Sequence, residues 1–232
     1  MHARRGLPAG AGALDLNDLL LKVLVSYLLG SIVGSLLVGR LRGGVDIRKL
    51  GSGNAGGTNA LRTQGKSFAL WVLVIDIGKG WIAARLIAPL VLPGVDPSAP
   101  ELAVWAPSAC GMAAIAGHVY PVWHGFRGGK GVATLVGVVV GLEPSLLLPM
   151  LLTWFVAVVI FGYVGLASML AAASIPLYVS GFEPSLPLTV FGVVATALIS
   201  GADYFRRFSG LLNARVTDIT VARSQRSNRK VG

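Results

Sequence analysis

GSGNAGGTNALRTQGK, residues Gly51–Lys66, is a polar stretch that separates two long apolar runs of this sequence. It contains five glycines, two asparagines, two threonines, one serine, one arginine and one lysine, and no acidic residue. Glycines let backbone N–H groups converge on an anion, and an arginine offers a planar fork that suits phosphate. The stretch therefore predicts a phosphate-binding loop at a membrane edge, and the alternative is a flexible loop between helices.

The composition on either side of this loop is that of a membrane protein. The 232 residues are 54% hydrophobic and 13% charged, and the mean hydropathy is +0.72. Soluble domains carry about 25% charged residues, so this composition, with apolar runs of roughly 20 residues, indicates a polytopic helical membrane protein. The single cysteine, Cys110, predicts neither a disulfide nor a metal cluster.

Seven apolar segments predict an all-α membrane domain over residues 19–202, between a periplasmic segment, 1–18, and a basic cytoplasmic tail, 203–232. The predicted spans are roughly Leu19–Val38, Phe68–Leu92, Leu102–Ala116, Val132–Leu142, Ser145–Phe161, Leu166–Ser180 and Leu186–Gly201. We expect the first to be a retained span, because it is too long for the apolar core of a signal peptide. Its Ser26, Gly30 and Gly34 share one helix face, which favours close helix contact. The fourth is short, so a tilted or re-entrant segment is the alternative.

Charge differs between the loops of the two sides. The acidic side holds Asp96, Glu101, Glu143 and Glu183. The basic side holds the tail and Arg40, Arg42, Arg48, Lys49, Arg62, Lys66, Arg127 and Lys130. The positive-inside rule assigns the basic side to the cytoplasm, with Arg4 and Arg5 as the exception. The net charge of +10 therefore reflects membrane topology, and we expect no nucleic-acid partner.

A second polar stretch, HVYPVWHGFRGGKGVAT at His118–Thr134, repeats the chemistry of the first. Three glycines flank Lys130 just before an apolar run, which is typical of an anion nest at a helix N-terminus. Arg127 adds a second cation, and the alternative is a positive-inside anchor. His118 and His124 are either catalytic or structural. We predict that the two polar stretches meet and hold phosphate groups.

The candidate phosphate ligands of both stretches are small residues or neutral donors. They are Ser52, Gly53, Asn54, Thr58 and Asn59 in the first stretch, and Gly128, Gly129 and Gly131 in the second. Asp76 and Lys79 lie three residues apart within the second span, a spacing that allows an ion pair on one helix face. The pair is either a charge network beneath the phosphate site or a self-neutralising structural pair.

Both stretches closely resemble the signature loops of the bacterial acyl-phosphate:glycerol-3-phosphate acyltransferases, the PlsY family. YLLGSI, GGVDIRKL, DIGKG and YVGLASM fit the same family, over about Ser26 to Met169. The resemblance implies a seven-span inner-membrane enzyme that needs no metal or other cofactor. It implies transfer of a fatty acyl chain from acyl phosphate to the sn-1 hydroxyl of glycerol 3-phosphate, giving lysophosphatidate and phosphate. The family's essential serine, arginine and lysine correspond to Ser52, Arg62 and Lys130.

The last span departs from the family pattern, which has a histidine and, three residues on, an asparagine. This chain has SGADYFRRFSGLLNARV there, with Asp203 and Arg206 at those positions and no histidine after His124. The general base is therefore Asp203, a neutral His118 or the substrate phosphate. A transporter or channel for a phosphorylated solute, or a catalytically silent lipid-phosphate binder, is the alternative function.

Overall fold

The structure is a computed structural model that describes residues 11–95, 99–182 and 184–204, with side chains from residue 16 onwards. Several predictions fall outside these residues. They concern the loop charges Arg4, Arg5, Asp96 and Glu183, the motif position Arg206, and the basic tail beyond Tyr204.

The described ranges are all-helical, as the sequence predicts. The helices are α1 (Ala11–Gly30), α2 (Gly34–Leu41), α3 (Gly57–Gln64), α4 (Lys66–Ile82), α5 (Pro100–Ala103), α6 (Ala106–Val119), α7 (Val132–Leu142), α8 (Leu147–Phe161), α9 (Val164–Phe182) and α10 (Leu186–Tyr204). A π-helical turn, Ala83–Ile87, continues α4. Short 3₁₀ turns cover Ile47–Lys49, Val122–His124 and Pro144–Leu146.

Four of these helical segments are long and apolar enough to cross a bilayer. They are Lys66–Ile87, Pro144–Phe161, Val164–Phe182 and Leu186–Tyr204. The pair α1 and α2 would make a fifth if it forms one broken span. The helices α6 and α7 are shorter, at 14 and 11 residues. The architecture is that of an all-helical integral membrane protein that crosses the bilayer several times.

The first predicted span is not one straight helix. It breaks between Gly30 and Gly34, and the helices on either side, α1 and α2, differ in direction by 47°. The backbone leaves the helix because groups on α4 bind both free ends: Lys79 contacts the end of α1, and Asp76 contacts the start of α2. The sequence pattern of small residues did not reveal this break.

Glycines bring the helix backbones into direct contact. A Cβ atom on Gly30 would overlap the carbonyl oxygen of Ala114 in α6, and one on Gly117 would overlap that of Tyr27 in α1. In lipid there is no hydrophobic force between helices, so such close van der Waals packing drives their association. The predicted close contact through Gly30 is confirmed, with α6 as the partner.

A second group of helices completes the core. Buried side chains of α7, α8, α9 and α10 pack together, including the fully buried Leu135, Ile175 and Phe191. This packing holds the start of α7, the start of α9 and the end of α10 near one another, and these three ends carry polar residues of the site described below.

The α4–α7 contact gives a matched test of this packing. A Cβ atom on Gly80 would overlap the carbonyl oxygen of Thr134, whereas one on Gly78 of the same helix would meet no heavy atom within 4 Å. We expect Gly80→Ala to lower the free energy of unfolding by about 1–3 kcal/mol. Gly78→Ala should leave it unchanged or raise it by up to about 1 kcal/mol. Thermal unfolding in detergent measures both, and equal shifts in the two variants would contradict this packing.

Candidate active site

The first polar stretch is half loop and half helix. Its second half forms α3, which begins at Gly57 and carries Thr58, Asn59 and Arg62. The sequence predicted a loop throughout, because the small polar residues hide the helical pattern. The first stretch therefore contains the N-terminus of α3, and helix N-termini attract anions.

Asn59 organises this stretch from the inside. Its side-chain amide donates to the carbonyl oxygens of Ile47, Leu50 and Asn54 at 2.9–3.0 Å, and its side-chain oxygen accepts from the backbone N–H of Ser52 at 3.0 Å. The residue is only 1% exposed. The side-chain polar atoms of Asn59 are therefore bonded within the loop. The sequence predicts this residue as a phosphate ligand, but the structure gives it a supporting position.

The other candidates of the first stretch face outwards. Ser52, Gly53, Thr58 and Arg62 are exposed, and Asn54 is half-buried. Gly53 has a φ of 69°, a left-handed conformation that favours glycine. Since Asn59 fixes the backbone beneath them, these residues form an accessible polar surface with a guanidinium group on it.

The second stretch leads from α6 to α7. As predicted, α7 begins at Val132, directly after Gly131, which has a φ of 89°. The backbone N–H groups of Gly128 and Gly129 donate back to the carbonyl oxygens of Val119 and His118 at 3.2 and 3.0 Å. The N–H groups of these two glycines are therefore used in bonds that hold the loop together. The accessible cations of this stretch are Arg127 and Lys130.

Arg48, three residues before the first stretch, links the segment that leads into that stretch to the second stretch. Asp46 holds this guanidinium group by an ion pair of 2.8 Å. The same side chain donates to the carbonyl oxygens of His124 and Arg127, at 3.1 and 3.0 Å. Asn59 of the first stretch bonds to the same segment at Ile47 and Leu50, so this segment connects the two stretches, whose shared phosphate binding stays a prediction. Sequence reasoning had assigned Arg48 only to the basic loop charge, although an aspartate two residues earlier was a signal for a fixed side chain.

Two titratable groups at this contact have shifted pKa values. The hydrogen bond from the Arg48 side chain lowers the pKa of Asp46 below its usual range, so the carboxylate stays ionised at neutral pH. Burial, together with the positive charge of Arg48, lowers the pKa of His124. His124 is therefore neutral near pH 7 and adds no charge beside Arg127.

Lys130 lies against the end of the last described helix. Its ammonium group contacts the carboxylate of Asp203 as an ion pair. The hydroxyl of Tyr163 donates to the other oxygen of Asp203 at 3.0 Å. Sequence reasoning proposed Asp203 but did not identify Tyr163, whose only signal was its place in YVGLASM. The contact joins the starts of α7 and α9 to the end of α10.

A buried charge cluster lies beneath the second stretch. Asp76 and Lys79 form the predicted ion pair at 3.0 Å, and the Nδ1 atom of His118 lies 2.9 Å from Lys79 and 3.3 Å from Asp76. His118 is 2% exposed, and a Cβ atom on Gly129 would overlap its ring. His118 therefore supports the loop from below.

Comparison with known proteins assigns the chain to a family. The model of the family described as glycerol-3-phosphate acyltransferase matches residues 20–213. The chain belongs to this acyltransferase family. Among its relatives, the glycerol-3-phosphate acyltransferase of Chlorobaculum tepidum is 44% identical over 164 residues, which cover 68% of each chain. That of Sinorhizobium fredii is 39% identical over 199 residues, 85% of this chain and 92% of the relative.

Solved structures of an acyltransferase of this family share its fold. Two crystal structures of PlsY (YgiH), an integral membrane glycerol 3-phosphate acyltransferase, superpose with TM-scores of 0.70 and 0.68. Both are 36% identical in sequence, and each match covers 85% of this chain and 93% of the other. One is described as the glycerol 3-phosphate form and the other as the lysophosphatidic acid form. The resemblance found in the sequence is therefore confirmed.

The role of Arg48 in holding the second stretch can be tested by substitution. We expect Arg48→Gln to separate the two stretches, because it removes the ion pair with Asp46 and the two bonds to the second stretch. Each lost bond from a charged group costs about 1.5–3 kcal/mol, so both the melting temperature and the acyltransferase rate should fall. Arg42→Gln is the control, because Arg42 contacts Ser67 at the exposed flank of the first stretch. Equal rates in the two variants would contradict the bridging role.

Proposed function

We propose that this chain transfers a fatty acyl group from acyl phosphate to the sn-1 hydroxyl of glycerol 3-phosphate, producing lysophosphatidate and inorganic phosphate. The observation that carries the proposal is the contact through Arg48. It ties the segment directly before the stretch that bears Ser52 and Arg62 to the stretch that bears Lys130. The glycerol 3-phosphate and lysophosphatidic acid forms of the PlsY structures support the same substrate and product.

The proposed reaction is direct acyl transfer. The sn-1 oxygen attacks the acyl carbonyl carbon, a new C–O ester bond forms, and the bond from that carbon to the phosphate oxygen breaks. Phosphate is a good leaving group, so the reaction requires no covalent enzyme intermediate and no cofactor. Arg62 grips one phosphate, Lys130 with the start of α7 holds the other, and Ser52 orients a phosphate or the hydroxyl. Holding both substrates together supplies proximity and charge stabilisation.

We propose Asp203 as the group that takes the hydroxyl proton. His118 is buried and bonded to the charge cluster, which leaves it beneath the loop and away from a substrate. Asp203 contacts Lys130 and is held by Tyr163. When a substrate phosphate takes over Lys130, the carboxylate of Asp203 is released from the lysine and stays oriented by Tyr163 beside the reacting groups. In this proposal Asp203 stands where the family pattern has a histidine.

This assignment predicts a specific kinetic change. Asp203→Asn keeps the size and the bond to Tyr163 but removes the base, so kcat should fall by roughly 10²–10⁴-fold, with KM for glycerol 3-phosphate little changed. Tyr163→Phe should have a smaller effect, because it removes only the bond that orients the carboxylate. A kcat of Asp203→Asn equal to that of the unchanged protein would instead assign the proton to the substrate phosphate.

The proposed topology has seven spans, with the N-terminus in the periplasm and the C-terminus in the cytoplasm of a bacterial inner membrane. Besides the bent pair and the four long segments, α6 and α7 complete the count as short or tilted crossings. Both polar stretches then face the cytoplasm, as their basic charges favour. The acyl tail enters from the lipid between the helices. Residues 1–18, 19–202 and 203–232 correspond to the periplasmic segment, the membrane domain and the tail.

The decisive experiment is acyl transfer from palmitoyl phosphate to glycerol 3-phosphate by the purified protein. We expect lysophosphatidate from the unchanged protein and a loss of about 10²-fold or more in Arg62→Ala and Lys130→Ala, since each removes stabilisation of developing or bound charge. No product, or unchanged rates in both variants, would refute the assignment.

Two further results would identify the alternatives. Exchange of glycerol 3-phosphate across proteoliposomes without product would favour a transporter. Phosphate-dependent thermal stabilisation without turnover would favour a silent binder. Complementation of a bacterial strain that lacks this acyltransferase step tests whether the altered last span supports activity in cells.

A further inference from the structure

The bend between α1 and α2 leaves polar backbone groups inside the membrane domain. The carbonyl groups at the end of α1 and the N–H groups at the start of α2 lack helical partners. In a bilayer each unpaired group costs several kcal/mol, so broken helices persist only where other groups satisfy them. The bend at Ser31–Val33 therefore needs a specific support.

Two charged side chains of α4 supply that support, a cation for the free carbonyl groups and an anion for the free N–H group. The ammonium group of Lys79 donates to the carbonyl oxygens of Gly30 and Ile32, at 2.9 and 2.7 Å. One carboxylate oxygen of Asp76 accepts from the backbone N–H of Gly34 at 3.0 Å. A cation thus caps the C-terminal end of α1, and an anion caps the N-terminal end of α2. Each charge is stabilised by the helix dipole that it faces.

The same two residues are connected to both polar stretches. Directly after Gly34, the buried hydroxyl of Ser35 donates to the carbonyl oxygen of Ala55 in the first stretch at 2.9 Å. On the other side, Lys79 contacts His118, and His118 supports Gly129 of the second stretch. The bend and its two caps therefore lie between the elements that carry Ser52 and Arg62 and the element that carries Lys130.

We propose that Asp76 and Lys79 are positioning residues, which fix the bend of the first span and through it set the distance between the two phosphate-binding stretches. The kinetic part of this inference rests on the function proposed above. A self-neutralising pair would need only mutual contact. Here each member also binds a different end of the broken helix, which neutralisation does not require.

The chain contains a matched control pair. Asp18 and Lys22 are also buried and form an ion pair of 2.8 Å. They lie one turn apart within α1, eight or more residues before the bend. Removing the charges of either pair removes a buried ion pair, but only the Asp76–Lys79 pair caps the bend.

The experiment compares two double variants, because a single substitution would leave an uncompensated buried charge. In Asp76→Asn/Lys79→Met neither member of the pair carries a charge, and the carbonyl oxygens of Gly30 and Ile32 lose their cation. We expect kcat for acyl transfer to fall by roughly 10- to 100-fold, since a displacement near 1 Å costs about that much. In Asp18→Asn/Lys22→Met we expect the rate to stay within about threefold of the unchanged protein, because this pair lies within α1 before the bend and its loss should not displace the stretches. Near-normal activity in the first variant would identify a merely self-neutralising pair and overturn the proposal.

A distance measurement separates this inference from the proposed function. Spin labels at the exposed residues Leu61 and Val122, in a Cys110→Ala background, report the separation of the two stretches by pulsed electron paramagnetic resonance. We expect one narrow distance distribution in the unchanged protein and in Asp18→Asn/Lys22→Met, and a broadened or shifted one in Asp76→Asn/Lys79→Met. An unchanged distribution in the last variant overturns the proposal, whether or not the protein transfers acyl groups.

A chemical rescue covers the case in which the double variant does not fold. Lys79→Ala creates a space lined by the carbonyl oxygens of Gly30 and Ile32 and by the carboxylate of Asp76. Methylammonium fits the position of the lost ammonium group, so it should restore at least part of kcat in Lys79→Ala. In Lys22→Ala the amine should restore stability by balancing Asp18, but it should leave kcat nearly unchanged, because that pair does not contact the bend. Failure of methylammonium to raise the rate of folded Lys79→Ala contradicts the positioning role.

Discussion

The constraint on which this structure depends is that a bilayer tolerates no unpaired backbone polar group. The break between α1 and α2 would violate it, but Lys79 and Asp76 pair with the groups on its two sides. A straight first helix would carry α2 further along its axis, away from α4. The bend instead sets Ser35 under Ala55, and the first polar stretch starts from a fixed base.

Glycine has two separate tasks in this molecule. At Gly30, Gly80 and Gly117 it allows helix backbones to touch, which sets the helix positions. At Gly128 and Gly129 it allows the second stretch to lie on His118. In both cases the missing Cβ atom matters for close approach. The glycine-rich composition of the second stretch therefore reflects packing at these two positions.

The sequence predicts the helical membrane class and locates the two polar stretches, because apolar length and small-residue density are local properties. It also predicts the Asp76–Lys79 pair from spacing alone. It does not predict the bend, the inward position of Asn59 or the contacts of Arg48, because these depend on residues distant along the chain. Asparagine is a residue type that can bind phosphate. The side-chain amide of Asn59 instead bonds to three backbone carbonyl oxygens, so this residue supports the loop.

The altered last span can be understood from charge. A lysine at the start of α7 needs a compensating group when no phosphate is bound, since an isolated cation in a half-buried position is costly. Asp203 is 3% exposed and supplies that charge, and Tyr163 orients it. A histidine in its place would be neutral or positive and could not balance the lysine, so the carboxylate changes the charge of the site. Asp203 therefore couples Lys130, before α7, to Tyr163, before α9, at the end of α10.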